Sequence, residues 1–147
     1  MFKHIIKYGI IGIFLCNLTI AKGQTNIWKT LSHLKFEVKW DEEYQFNVKQ
    51  AVFSEEILAL NGKEITVKGY LLPEKGYKTH KEFILSSLPY NLCYFCGKAG
   101  PETVMEVSSI SAIRYSDEPI TLKGTLMLNL LDPGGLPYIL LNAKLVK

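Results

Sequence analysis

The chain has 147 residues, 48% of them hydrophobic, with 17 basic side chains against 14 acidic ones, which suits one domain with a real core. Lys3, Lys7 and Lys22 lie in a segment expected to be removed, so the 17 basic residues fall to 14, level with the 14 acidic ones. Phosphate neutralisation needs a basic excess or a basic stripe, and with neither visible no nucleic-acid partner is expected.

Lys3 and Lys7 give a basic start, and Gly9 to Ile20 is an apolar run interrupted only by Asn17 and Thr19. A helix needs roughly 20 apolar residues to cross a hydrocarbon core of about 30 Å, so the run is too short to span. Small residues at Ala21 and Gly23 complete a secretory signal peptide over residues 1–23, cleaved before Gln24. The alternative is a short N-terminal anchor. Cys16 follows the bulky Phe14 and Leu15, a poor lipoprotein cleavage site. The expected location is outside the cytoplasm, in the periplasm or beyond, with no stable membrane span after cleavage.

Residues 24–61 read as an N-terminal helix and strand segment. Ile27, Leu31 and Leu34 recur at helical spacing beside Trp28. Phe36, Val38 and Trp40 then alternate with Lys35, Glu37 and Lys39, the pattern of a half-buried strand. Asp41-Glu42-Glu43 reads as a solvated turn. Ser54 can cap a short helix over 55–60, with Glu55 and Glu56 facing its positive end and Phe53 stapled to Leu58. Asn61-Gly62 ends it, since both residues tolerate the left-handed conformation.

Residues 62–147 read as β. Ile65, Val67 and Leu71 share one face with Gly69, and a turn follows at Pro73 to Gly76. Further strands are expected over 82–88, 103–109, 119–131 and 138–146. In the fourth of the five, Ile120, Leu122, Leu126, Leu128 and Leu130 share a face with Gly124. A glycine midway along a strand marks a sharp bend or a close backbone approach. Two of them point to a small closed sheet, which also removes sticky edges. The fold class expected is therefore mainly β: a small five-stranded OB-like barrel with a short N-terminal helical segment. An open meander or sandwich is the alternative.

Two stretches resemble an uncharacterised group of small exported bacterial proteins with an OB-like domain. One is Gly62-Lys63-Glu64-Ile65-Thr66-Val67-Lys68-Gly69-Tyr70-Leu71-Leu72-Pro73, similar to the group's first strand. The other is Cys93-Tyr94-Phe95-Cys96-Gly97-Lys98-Ala99-Gly100-Pro101-Glu102, similar to its cysteine loop and the more specific of the two. The similarity covers most of residues 50–146. It implies an exported OB-like domain of a kind associated with envelope transport or metal supply.

Reactive side chains are concentrated only at Cys93 and Cys96, and three readings of that pair stand side by side. Two thiolates two residues apart can reach one metal ion. Zinc is the first expectation, with His80 as third ligand and His33, Glu102, Glu106 or a second subunit as further sources. Cu(I) is the second, because soft sulfur donors suit it with fewer partners; Met105 is near in sequence, but its alternation with Val107 assigns it to the core. A disulfide is the second reading, favoured by an oxidising compartment although so short a ring adds little stability. Thiol–disulfide exchange is the third, and it needs the first cysteine at a helix N-terminus. Gly97, Gly100 and Pro101 leave no room for such a helix. No nucleophile–base set or phosphate-cradling loop appears elsewhere. The reading is a binding or accessory protein, not an enzyme, whose partner is a metal ion or an envelope protein. Tyr70, Tyr94, Phe95 and Glu102 are its candidate ligand-binding residues, with Tyr77 and Tyr90 as further aromatics; strand aromatics also serve as core.

Overall fold

The structure, a computed structural model, describes residues 26–42, 45–72, 78–132 and 134–146. The expected signal peptide with Cys16, the turn at Pro73 to Gly76, Glu43 and Tyr77 lie outside the described residues. The element order is α1 (Ile27–Leu31), β1 (Lys35–Asp41), β2 (Phe46–Val52), α2 (Glu55–Leu58), β3 (Glu64–Leu72), β4 (Thr79–Ser86), β5 (Val104–Arg114), β6 (Ile120–Leu128) and β7 (Tyr138–Leu145). Three short 3-10 turns separate β4 from β5. Among the described residues no helix is long and apolar enough to cross a membrane.

The mainly β fold expected from the alternation is present. Strands β3 to β7 form a closed barrel in the order β3-β4-β5-β7-β6, with β6 returning to β3. All neighbours are antiparallel except β5 and β7, which run parallel. Gly69 sits where β3 changes partner: Glu64 to Gly69 pair with β6, and Tyr70 to Leu72 pair with β4. A Cβ added there would lie 2.6 Å from the Ser86 carbonyl oxygen, so only glycine lets the strands meet. Gly124 occupies the second corner, where an added Cβ would lie 2.8 Å from the Leu141 carbonyl oxygen. The β6–β7 register shifts at this position, and Asn142 opposite takes φ +53°. These bends, with bulges in β4–β5 and β5–β7, let five short strands close.

The barrel interior is apolar. Val67, Leu85, Met105, Leu122, Leu126 and Leu140 are almost wholly buried, as the alternation expects for Met105 and Val107. The N-terminal segment adds to the same core through Leu31, Leu34 and Ile57. Trp28 fastens α1 to the barrel by donating its indole N–H to the Lys68 carbonyl at 2.7 Å. Tyr138, fully buried, donates its hydroxyl to the Leu31 carbonyl at 2.7 Å. Ser54 caps α2 by accepting from the Ile57 N–H, and Gly62 takes φ +72° after it. Phe53 turns its ring to Tyr138, 6.3 Å away between centroids, while Leu58 is half exposed.

Two expectations need correction. β1 is not half-buried: Lys35 to Trp40 are all exposed, and the strand pairs with β2 in a separate two-stranded sheet. β2 itself was not expected, because Phe46 and Val48 give only two apolar repeats before Gln50 interrupts them. Further along, β6 stops at Leu128, and Leu130 is half exposed outside it.

Candidate functional site

The cysteine loop fills the connection from β4 to β5. Its two ends are tied together where the Ser87 N–H donates to the Thr103 carbonyl at 2.9 Å. Fully buried Ser86 accepts the Leu88 N–H on its hydroxyl at 3.1 Å. Within the loop, Tyr94–Cys96 forms a 3-10 turn, closed by the Cys96 N–H donating to the Cys93 carbonyl at 3.1 Å. Residues three apart eclipse in such a turn, which sets both thiols on one side. Gly97 ends it in the left-handed region at φ +69°, a conformation that costs glycine little. On the far side, Pro101 opens the last 3-10 turn and the Thr103 hydroxyl donates to the Gly100 carbonyl at 2.7 Å.

The two sulfurs are 3.8 Å apart and both are free thiols. They differ sharply in setting, since Cys93 is buried and Cys96 is exposed. The Cys93 thiol donates to the Cys96 sulfur, and the Cys96 thiol donates to the Tyr90 carbonyl at 3.1 Å. Desolvation, the contact with Cys93 and its charge push the Cys96 thiol above the usual range; nearby Lys98 opposes them. A thiol so placed holds its proton at neutral pH. That is the reverse of the lowered pKa that an attacking thiolate requires.

His80 is not brought to the pair. It lies inside β4 opposite Ile113, buried, whereas the loop leaves from the other end of that strand at Ser86. His80 and Ser86 are six positions apart along the strand, roughly 20 Å at the usual rise. The sequence places His80 in a turn because Thr79 follows a Pro- and Gly-containing stretch, but pairing with β5 draws it into the sheet. His33 is also elsewhere, 3.1 Å from Glu56. Glu102 is felt by the core instead: its charge, after burial, helps hold the Tyr138 hydroxyl well above the ordinary tyrosine range. Among the described residues no group of three or more His, Cys, Asp or Glu is placed to hold a metal ion.

The aromatic candidates divide between surfaces. Tyr94 and Phe95 stack edge to face, with centroids 5.1 Å apart. Both line a cleft of about 590 Å³ between the loop, the β1–β2 hairpin and the β6–β7 turn, where Phe36, Ala51, Leu130 and Pro137 complete the wall. Phe95 also borders a second, shallower groove of about 850 Å³ over the outer faces of β4, β5 and β7, beside Ile84, Ile139 and Leu141. Exposed Glu106 reaches both. Tyr70 lies apart, in a third cleft with Trp28. Sequence reasoning missed Phe36, Ile84, Ile139 and Leu141 as surface residues. Ile84, Ile139 and Leu141 sit in apolar stretches of strand, where closure of the barrel decides which face of β4 and β7 turns outward; Phe36 is left exposed because β1 stands outside the barrel.

No protein-family model matches the chain, and no curated protein matches it. Among solved structures it is similar to a DUF3299 family protein from Pseudomonas aeruginosa PAO1. The identity is 18%, over 66% of this chain and 68% of that one, with a TM-score of 0.46.

Proposed function

We propose that this is an exported binding or accessory protein of the cell envelope, not an enzyme, and that Cys93 and Cys96 hold one soft metal ion between them. The observation that carries the reading is the pair of free thiols 3.8 Å apart with no third His, Cys, Asp or Glu grouped with them among the described residues. Zinc in a closed site asks for four donors. Cu(I) accepts two soft sulfurs, so it fits this chain better than zinc unless a second molecule supplies two more. The barrel order, with β5 parallel to β7, accords with the OB-like wiring that the sequence resemblance implies. The cleft walled by Tyr94 and Phe95 supplies a surface beside the sulfurs for an envelope partner. Export rests on the signal-like residues 1–23.

Against thiol–disulfide catalysis stand the burial of Cys93, the raised pKa of Cys96 and a turn of only three residues in place of a helix. A structural disulfide is the second reading, favoured by the complete burial of Cys93, which hinders entry of an ion. Metal analysis by mass spectrometry with a free-thiol count, on protein isolated from its own compartment without chelator, separates the two. One copper per chain, lost in Cys93→Ser and in Cys96→Ser, is the expected result. Metal-free protein without titratable thiols would replace the metal by the bridge. One zinc per two chains would replace Cu(I) by four thiolates from two copies.

A further inference from the structure

Among the described residues the β1–β2 hairpin pairs with no further strand, which leaves the outer edge of β1 open. β1 pairs with β2 on one side only, and among the described residues no other strand lies beside it. Six of its seven residues are exposed, including Phe36, Val38 at 63% and Trp40 at 54%. A two-stranded sheet is marginal by itself, and an exposed, flat, apolar edge is a template for another strand.

The sequence of that edge, Lys35-Phe36-Glu37-Val38-Lys39-Trp40-Asp41, is complementary to itself when reversed. Set β1 antiparallel to a copy of itself with Val38 opposite Val38. Lys35 then faces Asp41 of the other copy, Glu37 faces Lys39, and Phe36 faces Trp40. Each of these pairs occurs twice by symmetry. The charges share one face and the apolar residues the other, as the alternation of a strand requires. The observed ion pair from Lys39 to Glu37, at 3.6 Å, confirms that these two side chains lie on the same face. Opposite charges and aromatic pairs directly across a strand pair are stabilising, and like charges there are destabilising.

The register is specified as well as permitted. Sliding by two residues in one direction sets Glu37 against Glu37 and Lys35 against Lys39. In the other direction it sets Lys39 against Lys39 and Glu37 against Asp41. Sliding by one residue puts charges opposite apolar side chains. Parallel pairing in register would oppose every charge with its like.

We propose that β1 is an interface for a second copy of this chain, pairing edge to edge about a two-fold axis at Val38 to give a continuous four-stranded sheet β2-β1-β1-β2. The contact is isologous, so it closes at the dimer and does not propagate. It is independent of the cysteine pair and of any metal.

The test is sedimentation velocity on the purified protein from micromolar to millimolar concentration, with circular dichroism to establish that every variant is folded. The wild type is expected to dimerise. Lys39→Glu and Glu37→Lys are each expected to raise the dissociation constant by about tenfold or more, since each sets two like-charge pairs across the axis. Mixing the two variants is the discriminating step. Their 37–39 contacts are complementary to each other, so an equimolar mixture is expected to recover a heterodimer. The double variant, with both charges exchanged in one chain, is expected to dimerise again. A wild type that stays monomeric throughout, a single reversal that leaves the dimer intact, or a mixture that remains monomeric would each overturn the proposal.

Discussion

The barrel and the hairpin are built from strands with the same alternation, and they end in opposite environments. In β3, Ile65, Val67 and Leu71 turn inward and are almost wholly buried. In β1, Phe36, Val38 and Trp40 repeat just as regularly and remain exposed. The difference lies in what each sheet can close against. The barrel strands bend at Gly69 and Gly124 until the sheet meets itself, and α1 and α2 add Leu31 and Ile57 to the core. Among the described residues the hairpin has only two strands, and Phe36, Val38 and Trp40 are left exposed, Phe36 at the wall of an open cleft, so its alternation serves a surface. A period of two therefore identifies a strand without identifying its burial.

The comparison breaks if a barrel substitution proves mild. Leu126 is fully buried in β6, and Leu126→Ala is expected to cost about 2–5 kcal/mol by lost transfer energy and a residual cavity. Urea unfolding with an unchanged slope measures it. Gly69→Ala comes next. Its new methyl would meet a backbone oxygen, which cannot move aside as a side chain could. About 1–3 kcal/mol is expected from such overpacking, with a loss of amide protection at the β3–β4 seam.

Tyr138→Phe sharpens the same contrast through pH. It removes the hydroxyl that satisfies the Leu31 carbonyl, and about 1–3 kcal/mol is expected at neutral pH for the acceptor left buried. The folded state holds the Tyr138 hydroxyl protonated, its pKa raised first by burial and then by the charge of Glu102. The unfolded tyrosine ionises near pH ~10, so its stabilising contribution is complete below that value and is lost as pH rises above it. Unfolding midpoints for the wild type should fall from about pH 10 upward, and more steeply than for Tyr138→Phe. Equal slopes would mean that the hydroxyl is solvated.

The smallest effect belongs to the hairpin. Val38→Ala, measured at a dilution where the chain is monomeric, is expected to change stability by no more than about 0.5 kcal/mol, because the side chain is 63% exposed. A cost approaching that of Leu126→Ala would show that the hairpin is covered within the monomer, contrary to its exposure.

The cysteine loop shows where local reading reaches its limit. That Cys93 and Cys96 share one side follows from a spacing of three and the glycine behind them. That one sulfur is buried and the other exposed depends on how the loop seats on the barrel, and nothing within the motif distinguishes the two. His80 makes the same point more strongly. Its neighbours in sequence suggest a turn near the loop, but the β4–β5 pairing draws it into the sheet and away from the sulfurs.

What the sequence determined by itself was the set of barrel strands, the two glycine corners and the cap of α2. Each rests on interactions within a few residues: alternation, the missing Cβ, a hydroxyl three positions before an amide. The self-complementary charges of β1 are written in the sequence too, although they acquire meaning only once its edge is known to be open. The tertiary structure alone decided which apolar faces are covered, which sulfur is accessible and how far His80 lies from the loop. These depend on contacts between residues distant along the chain, whose formation is set by closure of the sheet and not by any local preference.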